Sequence, residues 1–241
     1  MTLRIGILGF GGRMGQLLVA EAAQCADIHL ATLYWRQQRA GVVLPQDCLV
    51  SHDLDAVLAA CDVAIEFTTP DAAAVFATHA ARFGKPLVSG TTGLNAEQQA
   101  TLAAAAKKIP LLQAPNTSLS LTVARQVTTL AAQLLRGHGY DVGINDLHHR
   151  HKKDAPSGTA KALGNAVNAG DPDARPVYAG QRLGSIVGEH EVIFAGQGEV
   201  LRIQHSVTDR AIFARGALAA AAWLHGKKPG FYSMNDVLGI A

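Results

Sequence analysis

Aromatic side chains make up only 5% of the 241 residues, cysteine and methionine number three each, and neither sign of charge prevails. Each shortage excludes something. Cys25, Cys48 and Cys61 are odd in number and show no Cys-x-x-Cys spacing, which argues against a disulfide framework and a cysteine zinc site and predicts a reducing cytoplasm. Twenty-one basic residues against 19 acidic ones leave a net charge of +2, without the broad basic face of a nucleic-acid binder. No run of about 18 apolar residues offers a membrane span, and the N-terminus opens onto a strand rather than a basic and then apolar leader. A cytoplasmic protein with no membrane or nucleic-acid partner is therefore expected. Apolar residues are plentiful at 49%, enough for one large domain or two smaller ones with separate cores.

Apolar, β-branched runs at 3–8, 28–34, 63–67, 86–89 and 111–114 read as strands, and alanine-rich stretches at 16–23, 71–83 and 96–107 read as helices. Strands alternating with helices predict a parallel, doubly wound sheet. Past Asn116 the texture changes. Residues 119–135 form one longer helix, 140–148 a strand, and 190–195 with 199–205 an antiparallel pair joined at Gly196-Gln-Gly198. A domain boundary is expected near Thr117, with a second domain over 118–210. The helix at 211–224 has the length and apolar content to return to the first domain, over 1–117 and 211–241.

Between the first strand and helix stands Gly9-Phe10-Gly11-Gly12-Arg13-Met14-Gly15. Glycines there let backbone N–H groups approach a pyrophosphate, and the following helix adds its positive end. Met14 takes the third glycine's place in a strict GxGxxG. After the second strand, where a carboxylate would grip a ribose 2′-hydroxyl, the chain reads Tyr34-Trp35-Arg36-Gln-Gln-Arg39. The two arginines suit a 2′-phosphate and Trp35 is placed to stack on an adenine, so NADPH is favoured while NADH stays open. Phe67-Thr-Thr-Pro70 and Gly90-Thr91-Thr92-Gly93 fall at the same carboxyl edge of the sheet.

The densest chemistry lies in Asp146-Leu-His-His-Arg-His-Lys-Lys-Asp-Ala-Pro-Ser-Gly-Thr159. His148, His149 and His151 titrate near neutrality, Lys152 and Lys153 supply fixed charge, and Ser157-Gly158-Thr159 opens a helix whose N–H groups suit an anion. A solvated basic face and a three-histidine metal site are the rival readings. The interleaved lysines repel a cation, so no metal is expected. Along an extended strand His148 and Lys152 would share a face. Asp154 is read as a turn-former, and His138, His190, His205 and His225 as ordinary surface or packing histidines.

Taken together, GFGGRMG, Phe67-Thr-Thr-Pro70, GTTG, Ala114-Pro115-Asn116, HHRHKKDAPSGTA and Gly230-Phe-Tyr-Ser-Met-Asn-Asp-Val-Leu238 resemble the 4-hydroxy-tetrahydrodipicolinate (dihydrodipicolinate) reductase family of lysine and diaminopimelate biosynthesis, over the whole chain. The resemblance implies NAD(P)H-dependent reduction of a cyclic imine dicarboxylate. By position, His148 matches the family's proton donor and acceptor, Lys152 its second proton donor, and His149 a substrate contact. Gly158 and Thr159 match its carboxylate cradle, and Gly9 to Met14, Gly90 to Thr92 and Ala114 to Thr117 its cofactor contacts. Tyr34 stands where many members carry the ribose-binding acid. Thr117 and Ser120 replace an aromatic residue and a glycine. Asp146 is what remains of two glutamates, Gly143 replacing the other, on a sheet that forms the family's subunit contacts. A homotetramer is expected from this resemblance.

The expected fold is thus α/β: a Rossmann-type doubly wound parallel sheet plus a second α+β domain with an open mixed sheet, the two sites facing across a cleft. A related imino or amino acid dehydrogenase and a non-catalytic dinucleotide sensor remain alternatives, although a sensor would not need both His148 and Lys152. If Arg36 reads the 2′-phosphate, Arg36→Ala will weaken NADPH binding more than NADH binding in a fluorescence titration; equal effects would remove that assignment.

Overall fold

Nearly unbroken apolar strands pair in parallel when both faces of their sheet are covered by helices, and the first half of this chain follows that rule. The computed structural model describes residues 2–35 and 47–240; Arg36 and Arg39 lie outside them. Its chain divides into two compact units, Met1–Thr117 with Ala211–Ala241, and Ser118–Arg210.

In the first unit β1 (Leu3–Leu8), α1 (Arg13–Ala22), β2 (Ile28–Tyr34), β3 (Leu49–Ser51), α2 (Leu54–Ala59), β4 (Val63–Glu66), α3 (Pro70–Phe83), β5 (Leu87–Ser89), α4 (Ala96–Ala106) and β6 (Pro110–Gln113) follow in order. The second unit holds α5 (Leu119–Leu135), β7 (Asp141–His148), α6 (Gly158–Gly170), β8 (Val177–Arg182), β9 (Gly188–Ala195) and β10 (Val200–Val207). The chain then returns to the first unit with α7 (Ala211–Leu224), β11 (Gly230–Tyr232) and α8 (Met234–Val237).

The first sheet runs β11-β6-β5-β4-β1-β2-β3, parallel throughout. Period-two alternation divides its side chains between two cores. Ile5, Ile7, Val63, Ile65, Val88 and Leu112 pack with α1 and α7, while Leu8, Ala64, Leu87 and Leu111 pack with α2, α3 and α4. The alanines of α7 (Ala214, Ala217, Ala220, Ala221) are wholly buried in the first of these cores. The order in which strands are added reverses between β1 and β4, the switch point at which doubly wound folds bind ligands beyond the carboxyl ends of their strands.

The second sheet is mixed, in the order β10-β9-β7-β8, with only the β7–β8 pair parallel. Ile144, Val192 and Phe194 from one face form a core with Leu121 and Ala132 of α5 and Ala160, Leu163 and Val167 of α6. The strands β3, β8 and β11 and the helices α2 and α8 are absent from the sequence pattern. Three of these have only three or four residues, and β8 is exposed along nearly its whole length, so neither shows an apolar period.

Gly15 explains why Met14 can occupy a glycine's usual place. A Cβ on Gly15 would lie 2.3 Å from Phe10 Cα and 2.7 Å from the Gly9 carbonyl oxygen, so the residue that lets α1 pack on β1 stands one position later. Gly11 has open space around its missing Cβ. Gly15→Ala will therefore cost about 1–3 kcal/mol of stability, whereas Gly11→Ala will stay within about 0.5 kcal/mol. Denaturant melts of the two variants check this; equal melts would place the close contact elsewhere.

Candidate active site

Strand β7 alternates, so Ile144, Asp146 and His148 face the same way, and its apolar core gives way to polar groups along one sheet face. Register then decides the neighbours. Asp146 stands opposite His190 on β9 and Gly180 on β8, His148 stands opposite Arg182, and His190 stands opposite His205 on β10. Asp146 is fully enclosed, and His148, His190 and His205 are buried beside it.

The Asp146 carboxylate has four polar partners, two of them hydrogen-bond donors. Its Oδ2 accepts from the Ser157 amide at 2.7 Å and from Arg182 Nη2 at 3.0 Å. Its Oδ1 lies 2.9 Å from His148 Nδ1 and 3.3 Å from His190 Nε2, close enough for ion pairing but without the alignment of a hydrogen bond. Burial opposes ionisation of Asp146, yet the bonds from Ser157 and Arg182 outweigh it and hold the carboxyl below its ordinary range. Burial, reinforced by Lys152 and Arg182, holds His148 below the usual histidine range although Asp146 pulls the other way. Burial and the neighbouring His148 push His190 down to about 4.

Past β7 the chain does not stay extended. The Lys152 amide donates to the His149 carbonyl at 3.1 Å, closing a turn through Arg150 and His151, so the face-sharing argument for His148 and Lys152 does not hold. Lys152 instead points its ammonium at Asp154 Oδ1, 2.8 Å away, which makes Asp154 an ion-pair partner. The segment ends at the cis Ala155–Pro156 peptide and Ser157, the N-cap of α6, whose hydroxyl accepts from the Ala160 amide at 3.1 Å. Gly158 is exposed with open space beyond it, and Thr159 follows in the first turn. His149 is half-buried.

His190 and His205 are thus part of this cluster rather than unrelated packing residues. Ser157 Oγ lies 3.2 Å from His190 Nε2, and His205 Nε2 lies 3.1 Å from Ser120 Oγ and 3.3 Å from Ser118 Oγ. Asp146, expected at a subunit contact, is interior. It also stands at ligand spacing with His148 and His190. Arg182 on the same carboxylate and Lys152 nearby repel a cation there.

In the first unit, β6, β5, β4 and β1 are neighbours, so the segments that follow them adjoin. Gly9 takes φ +81° to turn the chain, and Gly12 caps α1 with no side chain over it. Arg13 and Met14 open that helix. Phe10 and Trp35 stack on each other at 4.8 Å and are buried, so Trp35 has spent a ring face inside the protein, while Tyr34 packs edge-on against Phe76. Phe67 lies over Gly90, where a Cβ would meet its ring at 2.1 Å. Ala114 is buried, Thr92 and Pro115 are exposed and Asn116 is half-buried. Thr117 is enclosed, its hydroxyl donating to the Phe213 carbonyl at 2.6 Å.

Pattern reading missed Glu66. Wholly buried at the end of an apolar strand, it accepts from the Thr91 hydroxyl at 2.7 Å, the Thr68 hydroxyl at 2.7 Å, the Thr68 amide at 3.1 Å and the Ser89 hydroxyl. A lone carboxylate closing the run Val-Ala-Ile-Glu was its available signal.

The family models described as "Dihydrodipicolinate reductase, N-terminus" and "Dihydrodipicolinate reductase, C-terminus" match residues 3–117 and 120–238. The chain belongs to the dihydrodipicolinate reductase family. The 4-hydroxy-tetrahydrodipicolinate reductase of Alkalilimnicola ehrlichii is 39% identical and that of Thiobacillus denitrificans 38%, each match covering all of both chains. The dipicolinate-bound dihydrodipicolinate reductase of Paenisporosarcina sp. TG-14 shares the fold at a TM-score of 0.84 and 22% identity, covering 98% of this chain and 99% of that one. The two family segments meet close to the boundary between the two units.

In this reductase the depressed histidines carry a cost in acid. The unfolded chain binds protons that folded His190 resists, so stability present above about pH 6.5 is lost as pH falls toward its folded value of about 4, and Asp146 adds to the loss only at lower pH. Between pH 7.5 and 4.5 the protection of β9 amides against hydrogen exchange will fall by about 2–3 kcal/mol. His190→Gln will flatten that dependence; an unchanged slope would locate the titrating groups elsewhere.

Proposed function

We propose that the chain reduces 4-hydroxy-tetrahydrodipicolinate to tetrahydrodipicolinate with loss of water, using NADPH or NADH, as a step of lysine and diaminopimelate biosynthesis. The observation that carries this reading is the enclosed Asp146–His148–His190 cluster adjoining Lys152 and the open N-terminus of α6, on a chain whose full length matches the reductase family.

The first unit fits a dinucleotide. The turn from Gly9 to Met14 at the start of α1 receives the pyrophosphate, with nothing over Gly11 and only the Gly9 carbonyl near Gly12; the Gly9 and Gly12 amides themselves donate to the Tyr34 and Gly9 carbonyls. Gly90 to Thr92, Phe67 and Ala114 to Thr117 line the same edge, stiffened by Glu66. When bound there, the reduced nicotinamide supplies a hydride. NADPH is favoured because no carboxylate follows Leu33 before Arg36 and Arg39. With Trp35 stacked on Phe10, that ring face is not available to an adenine.

In the second unit the amides of Gly158 and Thr159 and the Ser157 and Thr159 hydroxyls receive a substrate carboxylate, assisted by the positive end of α6 and by His149. Loss of the 4-hydroxyl and a neighbouring C–H hydrogen as water gives the conjugated imine; hydride addition to it leaves negative charge, which a positioned acid must quench. Lys152 and His148 are the two acids at hand. Their surroundings differ. Lys152 is held by exposed Asp154, whereas burial keeps His148 neutral at the pH of the cell until an anionic substrate arrives to favour its charged form.

Subunit contacts fall on the second sheet, where Val177, Val200 and Leu201 stand exposed; a homotetramer in the cytoplasm is the assembly we assign. Among the described residues no helix is long and apolar enough to cross a membrane.

The test is loss of nicotinamide absorbance when the protein meets NADPH or NADH and the freshly made condensation product of aspartate semialdehyde and pyruvate. Rapid oxidation is expected, with kcat reduced by about 100-fold or more in His148→Gln and in Lys152→Ala. Unchanged turnover in both would overturn the reading. Dipicolinate, added to histidine-labelled protein, will raise the titration midpoint of His148; a fixed midpoint would separate the anion site from that ring.

A further inference from the structure

A buried carboxylate is costly unless it is paired, and Asp146 is paired in a particular way. One oxygen faces two histidines, the other a guanidinium and a backbone amide. The amide belongs to Ser157, the residue immediately before the open turn of α6. A single carboxylate therefore touches both His148 and the helix end that receives the substrate's carboxylate.

The approach also settles which ring nitrogen is free. At 2.9 Å from Asp146 Oδ1, a lone pair on His148 Nδ1 would repel the carboxylate, so Nδ1 carries the hydrogen and Nε2 is left for proton exchange. The Nε2 side faces Gly188, where a Cβ would come within 3.0 Å; glycine keeps that side open. Around the pair stand Arg182 from β8, His190 from β9 and Lys152 from the turn, with His205 of β10 stacked beyond His190 at 6.4 Å.

We propose that Asp146 is a positioning residue for the reaction: it fixes the Nδ1–H tautomer of His148 and locks that ring to the Ser157 amide, setting the distance between proton-exchanging nitrogen and substrate-carboxylate cradle. Arg182 neutralises the carboxylate so that it serves two histidines without drawing either proton away. The inference rests on the reading of His148 as an acid–base group.

Three steady-state pH profiles test it, for the full-length protein, Asp146→Asn and His148→Gln. Asparagine keeps the shape and one acceptor oxygen but removes the charge. We expect kcat to fall at least tenfold in Asp146→Asn, its inflection moving to lower pH by about one unit as His148 loses its anionic neighbour, with KM for the nucleotide within twofold. A fall in kcat with the inflection unmoved would mark a merely structural role and overturn the proposal. If His148→Gln is impaired and Asp146→Asn is not, the proposal fails and the function stands. If His148→Gln itself turns over normally, the role of His148 falls and the proposal with it. Should Asp146→Asn not fold, nitrogen-15 histidine spectra of the unaltered protein decide: an Nδ1–H tautomer at His148 supports the proposal, and an Nε2–H tautomer overturns it.

Discussion

The enclosed charge of Asp146 is the constraint on which the second unit depends. Its partners come from four places: His148 on its own strand, Arg182 on β8, His190 on β9 and the amide that begins α6. Removing the charged partner or the amide is not cheap, because a buried charge stripped of its partner costs several kcal/mol. A slip of one residue of β7 against its neighbours would turn Asp146 away from Arg182, His190 and the Ser157 amide and set Asn145 in its place. Strand register, helix entry and side-chain chemistry are therefore one problem with one solution.

The first unit contains a second buried carboxylate, solved differently. Glu66 is surrounded by hydroxyls and an amide. Neutral donors hold it in place and, in return, it holds Thr68 and Thr91, from the segments after β4 and β5, in fixed relation. Asp146 is bounded by ionisable groups, whereas Glu66 fixes the shape of the sheet's carboxyl edge with neutral ones. Preorganisation of this kind lowers the ordering cost that a ligand must meet on binding.

Local features of the chain were the legible ones. The limits of β1, β2, α5 and α7 follow from apolar runs and periods, and the parallel sheet follows from their alternation. The histidine segment stood out because its residue types crowd within one stretch of chain. What escaped was whatever register brings together: Arg182 and His190 lie 36 and 44 positions beyond Asp146 and meet it only because β8 and β9 flank β7. The turn at Arg150 and His151 escaped too, since no glycine or proline marks it. Trp35 illustrates a different limit. An aromatic residue after a strand suits a stacking surface and a core equally, and Phe10, the residue that decides between them, lies 25 positions earlier.

The return of α7 to the first unit sets an order of events during synthesis. Residues 118–210 leave the ribosome as a complete unit with its own core, while the older residues 1–117 still lack α7, one of the two helices, with α1, that cover one face of their sheet. Ile5, Ile7, Val63, Ile65 and Val88 have no α7 to pack against until residues 211–224 emerge. The first unit to begin is thus the last to close, and its half-covered sheet is the surface that a growing chain must protect.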